Sequence, residues 1–148
     1  MRSIKILGAI KIFNNAKELD INLEVNYEDV IKLSMELQLL EYELSDEIKI
    51  KSQKSSEFLF IKMCSINKYS EYIIDNKNIK LVFSLNELQS ISSFLLQYFK
   101  NNIAPVSHMH IYLRNKDDNE KEATLSITTD KYLPGYSAEE ARLLLKDD

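Results

Sequence analysis

Alternation of apolar and polar residues predicts half-buried strands in both halves of the chain. The run from Ile21 to Val25 alternates in the first half, and the run from Ile79 to Phe83 follows in the second. Successive side chains of a strand point to opposite faces of a sheet, so each strand is expected to have one buried face and one open face. Residues 3–13 predict a further N-terminal strand in which four isoleucines share one face.

A helix start follows each of these strands, and the two starts lie 58 residues apart. Ser84 and Glu87 have the S-x-x-E spacing of a capping box, and Asn26 and Asp29 hold the same two places in the first half. Apolar residues then recur at helical spacing along one face of each predicted helix. The first series is Val30, Leu33, Leu37, Leu40 and Leu44; the equivalent positions, apolar at four of five places, are Leu88, Ile91, Leu95, Tyr98 and Asn102.

Two more strands are predicted after each helix, so that each half becomes a β-α-β-β unit. In the first half they are Ile48–Lys51 and Phe58–Met63. In the second half they are His108–Arg114 and Thr124–Thr129. The shared order of elements predicts an internal duplication, since a common cap and a common apolar series at one offset are hard to obtain by chance.

These units predict one α+β domain over residues 1–148. The pseudo-repeats 21–63 and 79–129 are expected to form an antiparallel sheet with both long helices on one face. The N-terminal strand and a short C-terminal helix over residues 137–145 complete the prediction. A tyrosine-rich connector, residues 67–76, is expected to contribute at most an edge strand.

Composition and charge restrict the location and the class of partner. Cys64 is the only cysteine, so no internal disulfide can form and a reducing, cytoplasmic setting is expected. No segment approaches the ~20 apolar residues of a membrane helix. The net charge is −4, and only three of the 19 basic residues are arginines. This balance argues against a dedicated nucleic-acid binder, because phosphate recognition favours arginine.

The chain offers little catalytic or metal chemistry. His108 and His110 project to the same side of a strand, but a metal site normally needs three or four ligands, and the one further soft ligand is Cys64. We therefore expect no bound metal, no cofactor and no enzymatic activity. Ser107 is interpreted as a chain neighbour of His108 rather than a catalytic partner, because adjacent strand residues point to opposite faces.

The sheet face that points away from the helices is the more informative surface. Aromatic residues alternate there with lysines, which is typical of protein interfaces and of platforms for single-stranded RNA. The acidic net charge favours a protein partner, and a homodimer that covers the face is another alternative. The candidate partner-binding residues are Phe58, Phe60, His108, His110 and Tyr112, and the interleaved lysines are Lys49, Lys51, Lys62 and Lys80.

One part of the chain has a recognisable combination of elements. Between Ile79 and Thr129, a strand ends at a Ser-x-x-Glu helix start, and a leucine-rich helix, a Ser-His-x-His strand and a Leu-Ser-Ile strand follow. The matching residues are Leu81, Ser84, Glu87, Leu88, Leu95, Ser107, His108, His110 and the run Leu125-Ser126-Ile127. This combination resembles the small β-α-β-β immunity proteins of bacterial polymorphic-toxin systems. The extra N-terminal copy departs from that pattern.

The resemblance implies a cytosolic, non-enzymatic protein that binds and neutralises one cognate toxin. Inhibitors of this kind need complementary shape and charge rather than catalytic groups. Two alternatives stay open: a nucleic-acid-binding module that uses the open sheet face, and a small metal protein centred on His108 and His110. A second surface for a toxin is the acidic helix face, which is expected to be solvated and includes Glu36, Glu41, Glu43, Asp46 and Glu47.

Overall fold

The computed structural model describes residues 2–15, 18–104 and 106–131, which form an α+β fold with a mixed sheet. The helices are α1 (Tyr27–Glu41) and α2 (Leu85–Asn101). The strands are β1 (Arg2–Ile6), β2 (Ile10–Asn14), β3 (Glu18–Val25), β4 (Ile48–Ser52), β5 (Phe58–Cys64), β6 (Glu71–Asp75), β7 (Asn78–Ser84), β8 (His108–Asn115) and β9 (Glu122–Thr129). Neither helix is long and apolar enough to cross a membrane. The predicted C-terminal helix, residues 137–145, lies outside the described residues.

The order of the strands is β1-β4-β5-β7-β6-β8-β9-β3-β2. Antiparallel hairpins β2–β3, β4–β5, β6–β7 and β8–β9 are joined by the parallel pairs β1–β4, β5–β7, β6–β8 and β3–β9. The prediction of an antiparallel sheet is therefore wrong. Alternation specifies which face of a strand is buried, but it contains no information about the direction of the neighbouring strand.

Three other boundaries differ from the prediction. The connector over residues 67–76 contains β6, which lies inside the sheet between β7 and β8 and buries Tyr72. The single N-terminal strand is broken at residues 7–9 into β1 and β2. Helix α1 ends at Glu41, so that Leu44 lies beyond it and is 75% exposed.

The broken N-terminal strand brings the two ends of the sheet together. β1 pairs with β4 at one end of the strand order, and β2 pairs with β3 at the other. Because only residues 7–9 separate β1 from β2, the sheet must curve until its ends meet. The buried carboxylate of Asp29, at the start of α1, accepts hydrogen bonds from the backbone N–H groups of Leu7 (2.7 Å), Gly8 (3.1 Å) and Asn26 (3.1 Å).

Gly8 lies at the tightest point of this closure. A Cβ atom built on Gly8 would be 1.7 Å from the carbonyl oxygen of Glu24 and 2.5 Å from its carbonyl carbon. The hydroxyl of Ser52, at the end of β4, donates to the Gly8 carbonyl over 2.6 Å. Lys11 Nζ lies 3.0 Å from Glu24 Oε1, and its hydrogen bond lowers the pKa of that carboxyl. Backbone from β3 and a side chain from β4 thus contact one glycine.

The apolar series of the helices are buried as predicted, except at Leu44. The buried helix residues and the inward strand residues form a single hydrophobic cluster. Tyr98 is fully buried, and its hydroxyl donates to the carboxylate of Asp130 just beyond β9. Burial, followed by this hydrogen bond, raises the pKa of the Tyr98 phenol. The helix members of the cluster are Val30, Leu33, Leu37, Leu40, Leu88, Ile91, Phe94, Leu95 and Tyr98.

The two helices run antiparallel against each other. Gln89 near the start of α2 donates to Glu41 at the end of α1, over 3.0 Å. At the opposite end, the rings of Tyr27 and Phe99 stack with centroids 6.2 Å apart. These two contacts lie at opposite ends of the helix pair, so the helices pack along their length.

Truncation of one core leucine in each helix is expected to destabilise the fold. Leu37→Ala and Leu95→Ala should each lower the free energy of unfolding by about 2–5 kcal/mol, because each leaves a cavity among buried neighbours. Urea unfolding measures the loss, with Met35→Ala as the control, since Met35 is 59% exposed on α1. Losses below about 0.5 kcal/mol for both leucine variants would contradict the burial of these residues.

Gly8→Ala is expected to be among the most damaging single substitutions in the chain. The added methyl group meets backbone atoms that cannot move without breaking the β2–β3 pairing, so a loss of about 3 kcal/mol or more is expected. The measurement is again urea unfolding. Lys5→Ala, an exposed change on β1, is the control. Equal stability of the two variants would show that the ends of the sheet do not meet at this residue.

Candidate functional site

The outer face of the sheet holds all five predicted partner-binding residues, but it holds them in two groups. Phe58 and Phe60 lie on β5, whereas His108, His110 and Tyr112 lie on β8. β7 and β6 run between these strands. Three inter-strand spacings amount to about 14 Å, so the two groups form separate clusters on this face.

The first group is built from cross-strand neighbours on β4, β5 and β7. Phe60 lies between Lys49 and Lys80 in the strand register, and Phe58 lies opposite Lys51. The two phenyl rings meet edge to face with centroids 5.7 Å apart. Lys49 Nζ is 4.2 Å from the Phe58 centroid, and Lys80 Nζ is 5.8 Å from the Phe60 centroid. Ammonium groups at these distances are attracted by the ring faces, which restricts the lysine side chains.

This packing changes the expected role of Phe60. Its side chain is only 8% exposed. Phe60 therefore supports the lysines instead of presenting a free ring to a partner. The sequence pattern grouped Phe60 with Lys49 and Lys80 on one face, but it could not show that the lysine side chains would lie over the rings.

Five lysines surround the two rings, and we call them the lysine patch. Lys5 of β1 joins the set because it pairs in register with Lys51, on the same face. Glu47 lies 4.0 Å from Lys80, and Asp46 and Glu47 line one cavity together with Lys62 and Lys80. An acidic protein therefore has a local surface with an excess of positive charge. The members are Lys5, Lys49, Lys51, Lys62 and Lys80.

The second group is a row of exposed side chains along β8, which we call the β8 row: His108, His110, Tyr112 and Arg114. The imidazole centroids of the two histidines are 4.6 Å apart. His110 Nδ1 is hydrogen-bonded to Ser126 Oγ of β9 at 2.7 Å. Arg114 lies over the ring of Tyr69, 4.4 Å from its centroid. Tyr112 is 73% exposed, which makes it the most accessible aromatic ring among the predicted residues.

The expectation that the side chains of Ser107 and His108 point to opposite faces is wrong. Ser107 Oγ and His108 Nδ1 lie 2.8 Å apart, within hydrogen-bond distance. Ser107 precedes β8, whose first residue is His108, so the alternation that separates strand neighbours does not apply to it. Both side chains of this pair lie at the surface.

The remaining predicted ligands do not gather around the histidines. Within residues 2–15, 18–104 and 106–131, no three His, Cys, Asp or Glu side chains lie close enough together to hold a metal ion. Cys64 ends β5 and pairs in register with Ser84, away from β8. Each histidine Nδ1 already contacts a serine hydroxyl.

The acidic helix face differs from the prediction at Glu36. This residue is buried, and its carboxylate accepts two hydrogen bonds from the Arg2 guanidinium, at 2.6 and 2.8 Å. The side-chain hydrogen bond to Glu36 raises the pKa of Arg2. Glu36 therefore ties β1 to α1 and is not available to a partner. Glu43 and Asp46 remain exposed.

Comparison with known proteins adds no family to this description. No protein-family model matches the chain, and no curated protein is significantly similar to it.

We expect His108 and His110 to hold no stoichiometric metal in the isolated protein, because two imidazoles without a third ligand bind zinc only weakly. Elemental analysis of protein purified without a histidine tag measures this. One equivalent of zinc that disappears in the variant with both His108→Ala and His110→Ala would contradict the expectation.

Proposed function

We propose that this protein is a non-enzymatic, immunity-type inhibitor that binds and neutralises a cognate bacterial toxin in the cytoplasm. The supporting observation is the lysine patch, an exposed group of positive charges on an otherwise acidic chain. The resemblance of Ile79 to Thr129 to immunity proteins supplies the class of partner.

The patch is suited to association because its charges are partly fixed before a partner arrives. Lys49 and Lys80 lie over the phenyl rings of β5, so less side-chain freedom is lost on binding. The strands below them belong to a sheet whose ends are joined by β1 and β2. A surface of this kind selects a partner by charge and shape without a conformational change.

The sign of the patch defines the chemistry of the toxin surface. Five lysines with only Asp46 and Glu47 beside them, among the described residues, attract a partner that presents Asp and Glu side chains. The exposed acids at the end of α1 would repel that surface, which leaves the outer face of β4, β5 and β7 as the docking site. Phe58 is the half-buried ring within this contact.

A nucleic-acid-binding module is the second candidate, since five lysines also fit a phosphate backbone. Single-stranded binding uses aromatic faces on which bases stack. Lys49 lies over Phe58, and Phe60 is buried, so these two rings offer little free stacking surface. This observation favours the protein partner.

We also propose that the two halves are copies of one unit, with both helices on the same side of the sheet. Asp29 and Glu87, 58 residues apart, each lie in the first turn of a helix and accept a hydrogen bond from a backbone N–H outside it. Ser34 and Ser92, at the same offset, are both buried. The matched hairpins β4–β5 and β8–β9 follow the two helices.

Charge reversal within the patch tests the proposed function. The double variant Lys51→Glu with Lys62→Glu should lower the association rate with the toxin encoded by the adjacent gene by at least about tenfold at low salt, and it should abolish protection on co-expression. The matched control is Lys32→Glu with Lys116→Glu, which makes the same charge change at exposed lysines outside the patch.

Equal loss of binding in the test and control variants would place the docking site elsewhere. Tight binding of the wild type to oligothymidine, lost only in the patch variant, would select the nucleic-acid alternative. If no adjacent gene product is toxic and none is bound, the immunity function is wrong.

A further inference from the structure

The first half of β8 has a free backbone edge. β6 pairs with β8 only at Glu71↔Arg114 and Tyr72↔Asn115. By contrast, β4 is paired along its whole length with β1. β4 is the equivalent strand of the first half, because it follows α1 as β8 follows α2. Beside His108–Tyr112, on the side opposite β9, the described part of the chain supplies no strand.

The hydrogen-bond pattern shows which backbone groups face this edge. Thr129 donates to the Ser107 carbonyl over 3.0 Å, and Asn115 donates to the Lys121 carbonyl over 3.2 Å, so odd-numbered residues face β9. Arg114 donates instead to Ser70, over 3.1 Å, on the β6 side. By the same alternation, the N–H and C=O groups of His108, His110 and Tyr112 point to the free edge.

This edge lacks the features that usually prevent strands of different chains from pairing. The edge strands β1 and β2 contain Lys5 and Lys11, and charged side chains of this kind discourage pairing with another chain. Residues 108–112 read His-Met-His-Ile-Tyr, with no lysine, no proline and no carboxylate. An uncharged strand with free donors and acceptors is a template for another strand.

We propose that a second copy of this chain occupies the edge, so that two β8 strands pair antiparallel about a twofold axis at His110. In this register His108 lies opposite Tyr112 of the second copy, and Met109 lies opposite Ile111 of the second copy. Apolar residues then meet on the inner face, and an imidazole meets a phenol on the outer face.

The charges of β8 are compatible with this pairing. Arg114 would lie opposite Val106 of the second copy. Residues 106 and 114 are eight residues apart along the strand, so the two Arg114 side chains would be about 27 Å apart. No like charges are placed opposite each other between residues 108 and 112. The exposed ring of Tyr112 would be covered, whereas the lysine patch, two strands away, would stay accessible in both copies. The dimer does not depend on the proposed toxin.

Hydrogen–deuterium exchange of the purified full-length protein at two concentrations tests the proposal. In dilute solution the amides of His108, His110 and Tyr112 should exchange rapidly. At high concentration their exchange should slow by at least about tenfold as the dimer forms. The amides of Met109 and Ile111 are the internal control, because their bonds to β9 protect them at both concentrations.

Two variants at one position separate the backbone from the imidazole. His110→Pro removes the N–H that faces the edge, costs no backbone bond to β9, and should weaken the dimer in sedimentation equilibrium by at least about tenfold. Like His110→Ala, it loses the side-chain bond to Ser126 of β9. His110→Ala keeps that N–H and should weaken the dimer by less. Circular dichroism verifies the fold of each variant.

Three results would overturn the proposal. The first is that the protein stays monomeric at about 1 mM. The second is that the amides of His108, His110 and Tyr112 are protected in the dilute monomer, which would mean that the chain itself covers the edge. The third is that His110→Pro folds and dimerises like the wild type, which would place the interface on another surface, such as the exposed apolar side chains of the helix pair.

Discussion

The carboxylate of Asp29 is the interaction on which the closure of the sheet depends. It satisfies two backbone N–H groups in the break between β1 and β2 and a third at the start of α1. Without this acceptor the buried N–H of Gly8 would lack a partner, which costs about 1–3 kcal/mol, and the part-buried N–H groups of Leu7 and Asn26 would lose theirs. One side chain therefore fixes the path of the N-terminal segment, and that segment holds together the two ends of the strand order.

Glu87 has a related but simpler role in the second half. Its carboxylate accepts from the backbone N–H of Ser70 over 3.1 Å, and the Ser70 hydroxyl accepts from the N–H of Ser84 over 3.0 Å. The chain before Ser70 turns away instead of continuing as a strand, so nothing equivalent to β1 is present beside β8 among the described residues.

Local patterns in the sequence predicted both long helices and most strands, but they did not predict how the strands are arranged in the sheet. The series Val30 to Leu40 and Leu88 to Tyr98 identified the buried helix faces, because burial on a helix repeats every 3.6 residues. Strand direction was not predictable from polarity. Ile61, for example, is an inward-facing apolar residue that pairs antiparallel with Ile48 on one side and parallel with Leu81 on the other. The position of β6 was missed since its tyrosines resembled an exposed connector.

In the candidate site, too, local alternation was predictable from the sequence and long-range pairing was not. Alternation placed Phe58, Phe60, His108, His110 and Tyr112 on the outer face, but their separation depends on β6 and β7, whose order is a property of the whole sheet. Lys5 was not recognised as part of the lysine patch, because its neighbour Lys51 is 46 positions away in the chain. The ion pair of Glu36 with Arg2 was missed for the same reason, as no local signal connects two residues so far apart.

The parallel pairing of β3 with β9 determines how the chain can acquire its structure during synthesis. Glu18 pairs with Glu122, 104 residues later, and β5 pairs with β7 across the boundary between the halves. Contacts between such distant residues form slowly, because a long loop must close before any bond is gained. On the ribosome, β3 therefore has no partner on one side until β9 has emerged. The first half cannot complete its part of the sheet alone, and a chain truncated before β9 would expose a strand edge rich in Ile and Leu.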